Sequence, residues 1–202
     1  MKNDLKNLIG ANETIFYEGK PDKKCFIAES IFNKLMPFAI IWGIIDFGFL
    51  KTAFSADGAG EMLFIIPFFA LHLMPVWIYL AGVVFSFARY KNTYYIITDN
   101  AIYVSGGVFS KTYKTKPFAE MSHIDLHRGI FDQLFGVGDV IATSNQISDE
   151  TGVASVEISS IADYSEVFNM VKKLQTDVFS DTMYPNDIRP SENHGYNTKY
   201  RG

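Results

Sequence analysis

From Met62 to Ala88 the chain carries no Asp, Glu, Lys or Arg. A helix needs about 20 mostly apolar residues to cross the hydrocarbon core of a bilayer, and this run exceeds that length. It ends on Arg89, Tyr90 and Lys91, the basic and aromatic residues that suit a membrane interface. Pro67 and Pro75 lie inside it. Proline removes a backbone donor and kinks a helix, a defect that membrane helices tolerate better than soluble ones. A second apolar segment precedes it, from about Leu35 to Leu50 with Ile31 as the alternative start; Lys34 and Lys51 flank the Leu35–Leu50 run. The short stretch between them, Lys51 to Glu61, holds Asp57, Gly58 and Gly60. So short a connection predicts a helical hairpin, about 31–50 and 62–88 within a membrane domain of residues 31–89.

Basic residues set the orientation. Lys2, Lys6, Lys20, Lys23, Lys24 and Lys34 precede the first segment, Arg89 and Lys91 follow the second, and the loop holds only Lys51. Both termini are therefore expected on the cytoplasmic side of the cell membrane. Cys25 is the only cysteine, which excludes an intramolecular disulfide and a cysteine-based metal cluster. The opening residues lack an apolar core, so no cleavable secretory signal is expected there. The net charge of −4 argues against nucleic acid as a partner.

Two ionisable residues fall inside the apolar segments, Asp46 and His72. Such residues are costly in a bilayer and mark a possible intramembrane polar site. The plainer reading lets Asp46 reach the interface near Lys51 and lets His72 share a hydrogen bond across the hairpin.

Beyond Lys91 the pattern turns to short β-type runs. TYYIIT (Thr93–Thr98) and AIYVS (Ala101–Ser105) flank the Asp99-Asn100 turn, a hairpin signature. MSHIDL (Met121–Leu126) alternates apolar and polar residues, as do the residues from Val153 to Ile158. Val140–Thr143 forms another short strand, and Asn145–Gly152 reads as a polar loop. Val167, Met170, Val171 and Leu174 then recur at helical spacing, with Asp163 or Ser165 as the cap. These elements predict an α+β chain: the transmembrane hairpin, then a small β-barrel or sandwich over residues 90–178 closed by a C-terminal helix. Residues 1–30 read as a cytoplasmic N-terminal segment. Residues 179–202, poor in aliphatics, read as a disordered tail.

The order of motifs resembles the bacterial pleckstrin-homology-like (PH-like) domain family. Tyr95–Asp99 fits its tyrosine-isoleucine-threonine-aspartate strand end, Gly107–Lys111 its hairpin, and Lys116–Ile124 its next strand. Gln133–Val140 fits its q-x-x-f-G-x-G-D-V segment. Upstream, Glu13–Pro21 (ETIFYEGKP) is similar to the segment that precedes a helix pair in membrane-anchored members. Pro117-Phe118 and Asn100-Ala101 depart from the usual pattern and remove basic charge. The resemblance implies two antiparallel sheets in a partly open barrel with a helical cap, and it implies little about function.

Lys111, Lys114 and Lys116 are the basic cluster of the soluble part, where residues 89–178 hold eight basic and eleven acidic residues. Their plainer reading is a solvated strand face; their functional one is contact with anionic headgroups at the membrane surface. His123, Asp125 and His127 share one strand face, but a zinc site needs three or four converging ligands, and solvent-facing polar residues are the preferred reading. Gly136 and Gly138 read as turn glycines with positive φ, since no GxxxxGK run ending in Ser or Thr follows. No motif of nucleophile, paired cysteines or metalloprotease type is present, so neither an enzyme nor a cofactor is expected. The leading expectation is a membrane-anchored interaction module that binds a protein partner or self-associates. An anionic-lipid-binding or envelope-stress role and a small transporter subunit are the alternatives.

Overall fold

The computed structural model describes residues 2–55, 62–148 and 152–183. In chain order the elements are α1 (Lys2–Lys6), β1 (Ile15–Gly19), α2 (Lys23–Ile31), α3 (Met36–Ser55), α4 (Met62–His72) and α5 (Met74–Asn92), followed by β2 (Tyr94–Thr98), β3 (Ala101–Gly106), β4 (Thr112–Pro117), β5 (Met121–His127), α6 (Ile130–Phe135), β6 (Gly138–Ser148), β7 (Gly152–Ile161) and α7 (Tyr164–Met183). They divide into two compact units, one made of the chain up to Phe26 and from Arg89 onward, the other of Ile27–Ala88.

The β unit is two antiparallel sheets, ordered β1-β2-β3-β4 and β5-β6-β7, with α7 as the closing helix. Its core joins Tyr95, Ile97 and Ile102 of the first sheet to Val140, Ala142, Val156 and Ile158 of the second. Val167, Val171, Leu174 and Val178 bring one face of α7 onto it, as their helical spacing predicts. All five residues of β2 are buried rather than alternate ones. The reason is that the first sheet is covered on both faces. Leu5 of α1 and the partly buried Ile9 pack on Tyr94, Ile96, Ala101 and Tyr103 on the side away from the core.

The N-terminal residues therefore do not stand apart as a separate segment over 1–30. β1 pairs antiparallel with β2, with Tyr17 opposite Ile97 and Gly19 opposite Tyr95. Glu13 explains the start of the upstream motif. Its carboxylate accepts hydrogen bonds from Thr98 Oγ1 (2.7 Å) and from the Tyr103 hydroxyl (3.0 Å), fixing the β2–β3 hairpin. Asp22 then caps α2, its Oδ1 accepting from the backbone N–H groups of Lys24 and Cys25, both at 2.9 Å.

Three further expectations are corrected. Of the stretch read as a polar loop, Asn145–Gly152, residues 145–148 continue β6 and Gly152 opens β7, paired with Ser148, while a register shift between Thr143 and Ile147 absorbs the irregular pattern; residues 149–151 lie outside the described residues. Helix α7 runs past Val178 to Met183, and the rest of the expected tail lies outside the described residues. Gly136 does adopt positive φ (71°) as the C-cap of α6, but Gly138 does not. A Cβ on Gly138 would lie 2.9 Å from the Tyr164 ring, so close packing demands that glycine.

In the helical unit the run expected as one helix over 62–88 is broken at Leu73 between α4 and α5. Pro75 has no N–H to continue the ladder, and its ring displaces the carbonyl four residues back. The bend leaves carbonyls without their helical donors, and the chain's two tryptophans serve two of them. Trp77 Nε1 donates to the Ala70 carbonyl at 3.1 Å, and Trp42 Nε1 of α3 donates to the His72 carbonyl at 2.8 Å. The other apolar segment is likewise interrupted between Ile31 and Met36, so α3 starts later than Ile31. There Asn33 Nδ2 donates to the Ser30 carbonyl, Asn33 Oδ1 accepts from Leu35 N, and the Tyr79 hydroxyl donates to the Ile31 carbonyl. No single described helix is long and apolar enough to cross a membrane. Two bent pairs pass that test together, Lys23–Ile31 with Met36–Thr52 (47°) and Ile65–His72 with Met74–Asn92 (55°).

Candidate functional site

The β unit carries a cleft of about 520 Å³ where the two sheets part. Its walls come from the strands at the sheet edges, Thr112 and Lys114 of β4 and Ser155 and Glu157 of β7. Tyr95, Val104 and Val156 form its apolar floor, with Phe26 and Arg89 at its margin. Antiparallel pairing fixes this arrangement: Val104 lies opposite both Tyr95 and Lys114, so all three share one face. The β3–β4 turn at its rim is rigid. Gly107 holds φ at 110°, and a Cβ there would collide with the Ser110 carbonyl. Asn92 Nδ2 donates to the Gly107 carbonyl at 3.0 Å, and Ser105 Oγ donates to the Asn92 carbonyl at 3.0 Å.

Tyr95 is buried, and its hydroxyl lies 2.9 Å from Ser159 Oγ. Burial pushes its phenol pKa up to about 12. Glu157 stands at the mouth with much of its surface open, yet the surrounding protein strips enough water to push its carboxyl up. The Asp139 carboxylate adds to this effect, while His127 and Lys114 act against it. Among the described residues Arg89 and Lys114 form no ion pair, so the cleft presents two cations available to an anionic or carbonyl-bearing group.

The three lysines do not act together. Lys111 Nζ pairs with Asp4 at 3.0 Å on the surface, and hydrogen bonds from Lys111 and Tyr113 hold the Asp4 carboxyl below its ordinary value. Lys116 buries its stem and reaches Glu120 at 3.3 Å, so its charge is shared locally. Only Lys114 faces the cleft.

Asp46 and His72, singled out separately in the sequence, meet within the helical unit. His72 Nδ1 lies 2.9 and 3.0 Å from the two carboxylate oxygens of Asp46, which is only 1% exposed. The imidazole stacks with Trp42 (5.1 Å between centroids) and with Phe68 (5.2 Å). Asp46 thus turns inward to a partner on α4 rather than out toward Lys51.

His123, Asp125 and His127 are all exposed, and no metal-ligating group unites the three among the described residues. His127 instead lies near two buried carboxylates, Asp132 and Asp139. Both already have structural tasks. Asp132 Oδ2 accepts from Gly129 N at 2.8 Å, and its Oδ1 accepts from Cys25 Sγ at 3.4 Å. Asp139 Oδ1 accepts from Ser160 N at 2.7 Å, holding Ser160 in a left-handed conformation (φ 52°). Burial pushes the Asp139 carboxyl up despite that bond.

Sequence reasoning missed the cleft. Arg89 reads there only as a helix flank, and Tyr95, Ser159 and Glu157 meet only through sheet topology. A profile of the bacterial PH domain family matches residues 46–175. That match begins within α3 and leaves out β1, which the structure adds to the same sheet. No curated protein and no solved structure matches the chain.

Proposed function

Because the chain belongs to the bacterial PH domain family, we propose that it is a membrane-anchored interaction module that receives a segment of a protein partner, or of a second copy, in the cleft between β4 and β7. The helical unit serves as the anchor and the β unit faces the cytoplasm, with both chain termini on that side. The observation that carries the anchor is the outer surface of the helical unit. Ile44 (67% exposed), Phe47 (71%), Leu71 (70%) and Val84 (64%) are large apolar side chains with no protein over them. So much uncovered apolar surface calls for a partner or a bilayer. The tryptophan-capped break at Leu73 supports the bilayer, because backbone groups there must be satisfied from within the protein. The cleft supports the binding role. Two sheet edges flank it, and an edge strand has unpaired backbone groups that an added strand can engage. Anchoring then raises the effective concentration of other membrane-bound partners.

Alkaline carbonate extraction of the full chain from bacterial membranes tests the anchor. Retention in the membrane pellet is expected, and release into the supernatant overturns the reading. For the cleft, a photo-crosslinking residue at Thr112 or Ser155 is expected to yield one discrete protein adduct. The same probe at exposed Lys173 on α7 gives the background.

Arg89 and Lys114 favour a second reading, an anionic lipid headgroup in the same cleft. In nanodiscs of rising anionic-lipid content, photoactivatable lipid would then label the cleft increasingly. Labelling would fall in Arg89→Gln and Lys114→Gln. Protein adducts unaffected by lipid composition select the first reading.

A further inference from the structure

The end of β5, helix α6 and the start of β6 bring three metal-ligating side chains together. His127 and Asp139 are direct partners in the antiparallel ladder of β5 and β6, which puts their side chains on one face. Helix α6 connects the two strands and brings Asp132 to the same point. One ring nitrogen of His127 and one carboxylate oxygen from each aspartate all lie within 4.8 Å of one another. His127 Nδ1 stands 3.5 Å from Asp139 Oδ2. Zinc holds imidazole nitrogen and carboxylate oxygen at about 2.0–2.2 Å, so two such ligands in a tetrahedron stand about 3.3–3.6 Å apart. The His127–Asp139 separation matches one edge of such a site.

Burial separates this group from an ordinary acidic surface. Asp132 is fully buried and Asp139 is 7% exposed. Among the described residues no Lys or Arg pairs with either carboxylate, and His127 is the ion-pair partner of Asp139. Arg128 is committed elsewhere: its guanidinium donates to the main-chain oxygens of Val137 and Asp132 and lies over the Tyr164 ring. Two buried carboxylates facing one imidazole are short of positive charge, and burying unpaired charge is costly. Burial pushes the Asp139 carboxyl up, and the Asp132 charge adds to that effect. Both carboxylates are nevertheless held in place with acceptor capacity to spare. Ser160 N takes Asp139 Oδ1 and leaves Oδ2 toward His127. Asp132 accepts one hydrogen bond on each oxygen, from Gly129 N and Cys25 Sγ, and each oxygen keeps a second lone pair. Outer hydrogen bonds of this kind orient carboxylates that ligate metals. The hydroxyl of Ser160, the residue whose N–H holds Asp139, is itself buried with no hydrogen-bond partner among the described residues. The His127 side chain is exposed, so its ring can close on an ion that arrives from solvent.

From this geometry we propose that His127, Asp132 and Asp139 form a binding site for a divalent transition ion of the Zn2+ type at the junction of β5, α6 and β6. One imidazole with two carboxylates suits a borderline ion better than Ca2+ or Mg2+, which take oxygen ligands. Three protein ligands leave a fourth position for water. The bound ion neutralises the buried carboxylates and ties α6 to both strands.

The test is calorimetric titration of Zn2+ alone into the full chain after metal is removed with a chelator, together with thermal melting with and without Zn2+. The variants are His127→Ala, Asp132→Asn and Asp139→Asn; the asparagines keep an oxygen for Gly129 N and Ser160 N. The unaltered chain is expected to bind Zn2+ and to melt at a higher temperature with it. Each variant is expected to bind one ion fewer per chain and to lose that upward shift. His123→Ala, on the same strand but outside the group, is expected to bind as the unaltered chain does. Melting of the metal-free variants shows which of them fold, and the exposed His127 supplies the deciding variant if an asparagine does not. Absence of Zn2+ binding by the unaltered chain overturns the proposal. Undiminished stoichiometry in any folded variant of the three overturns it too, because the ion then sits on other side chains, and so does an equal loss in His123→Ala.

Discussion

Glu13 shows how one side chain can hold together distant parts of the sequence. Its carboxylate receives Thr98 and Tyr103 across the β2–β3 hairpin, and a hydrogen bond to a charged group contributes about 1.5–3 kcal/mol. Glu13→Ala is expected to destabilise the β unit by about 2 kcal/mol, read from the denaturant midpoint at unchanged slope. Tyr95 gives a pH-dependent counterpart. Its phenol pKa rises from 10.0 to about 12 because burial disfavours the phenolate. Folding therefore favours the protonated ring. The contribution, about 3 kcal/mol, is whole below pH 10 and is lost as pH rises through about 12. Tyr95→Phe is expected to flatten the alkaline limb of the stability profile between those values. The Asp46–His72 pair behaves differently. Removing one partner leaves a buried polar group alone, at a cost of about 3–5 kcal/mol. His72→Ala is expected to lower the melting temperature well below that of the double change Asp46→Leu/His72→Leu.

At the scale of elements, the break at Leu73 is built rather than tolerated. Pro75 ends the ladder, and Trp42 and Trp77 satisfy carbonyls of the bend. Trp42→Phe keeps the ring stacked near His72 but removes the donor. A loss of about 1–3 kcal/mol is expected in the unfolding free energy, because the carbonyl is left without its donor. The β6 start shows a packing constraint of the same kind. Gly138 admits no Cβ against Tyr164, whose ring also lies under the Arg128 guanidinium at 4.5 Å.

At the scale of the whole molecule, the helical unit is an insertion between two paired strands of one sheet. β1 precedes it and β2 follows it, yet the two share a ladder. A fragment starting at Arg89 leaves the β2 edge and the outer face of the first sheet bare. Residues 2–26 joined by a short Gly/Ser linker to 89–183 restore both. The Phe26 and Tyr90 rings already lie 6.1 Å apart, so the linker closes a short gap. The joined chain is expected to melt cooperatively by circular dichroism, whereas 89–183 alone is expected to lack a cooperative transition.

The sequence alone determined the elements whose signals are local. The uncharged run after Met62, the β2–β3 hairpin and the buried stripe of α7 are all legible, because apolar periodicity and turn residues act over a few positions. The motif order also pointed to the PH-like architecture. Tertiary structure decided which of these residues meet. β1 shows no alternation that outweighs its short length, so only its ladder with β2 places it in the sheet. Asp46 and His72 are 26 positions apart on different helices, and only their packing pairs them. The cleft exists only where two sheet edges part, and Lys111, Lys114 and Lys116 were divided by their partners Asp4 and Glu120 and by the cleft itself. Local free energies write the elements. Long-range pairing, which carries no signature in the neighbouring residues, writes the site.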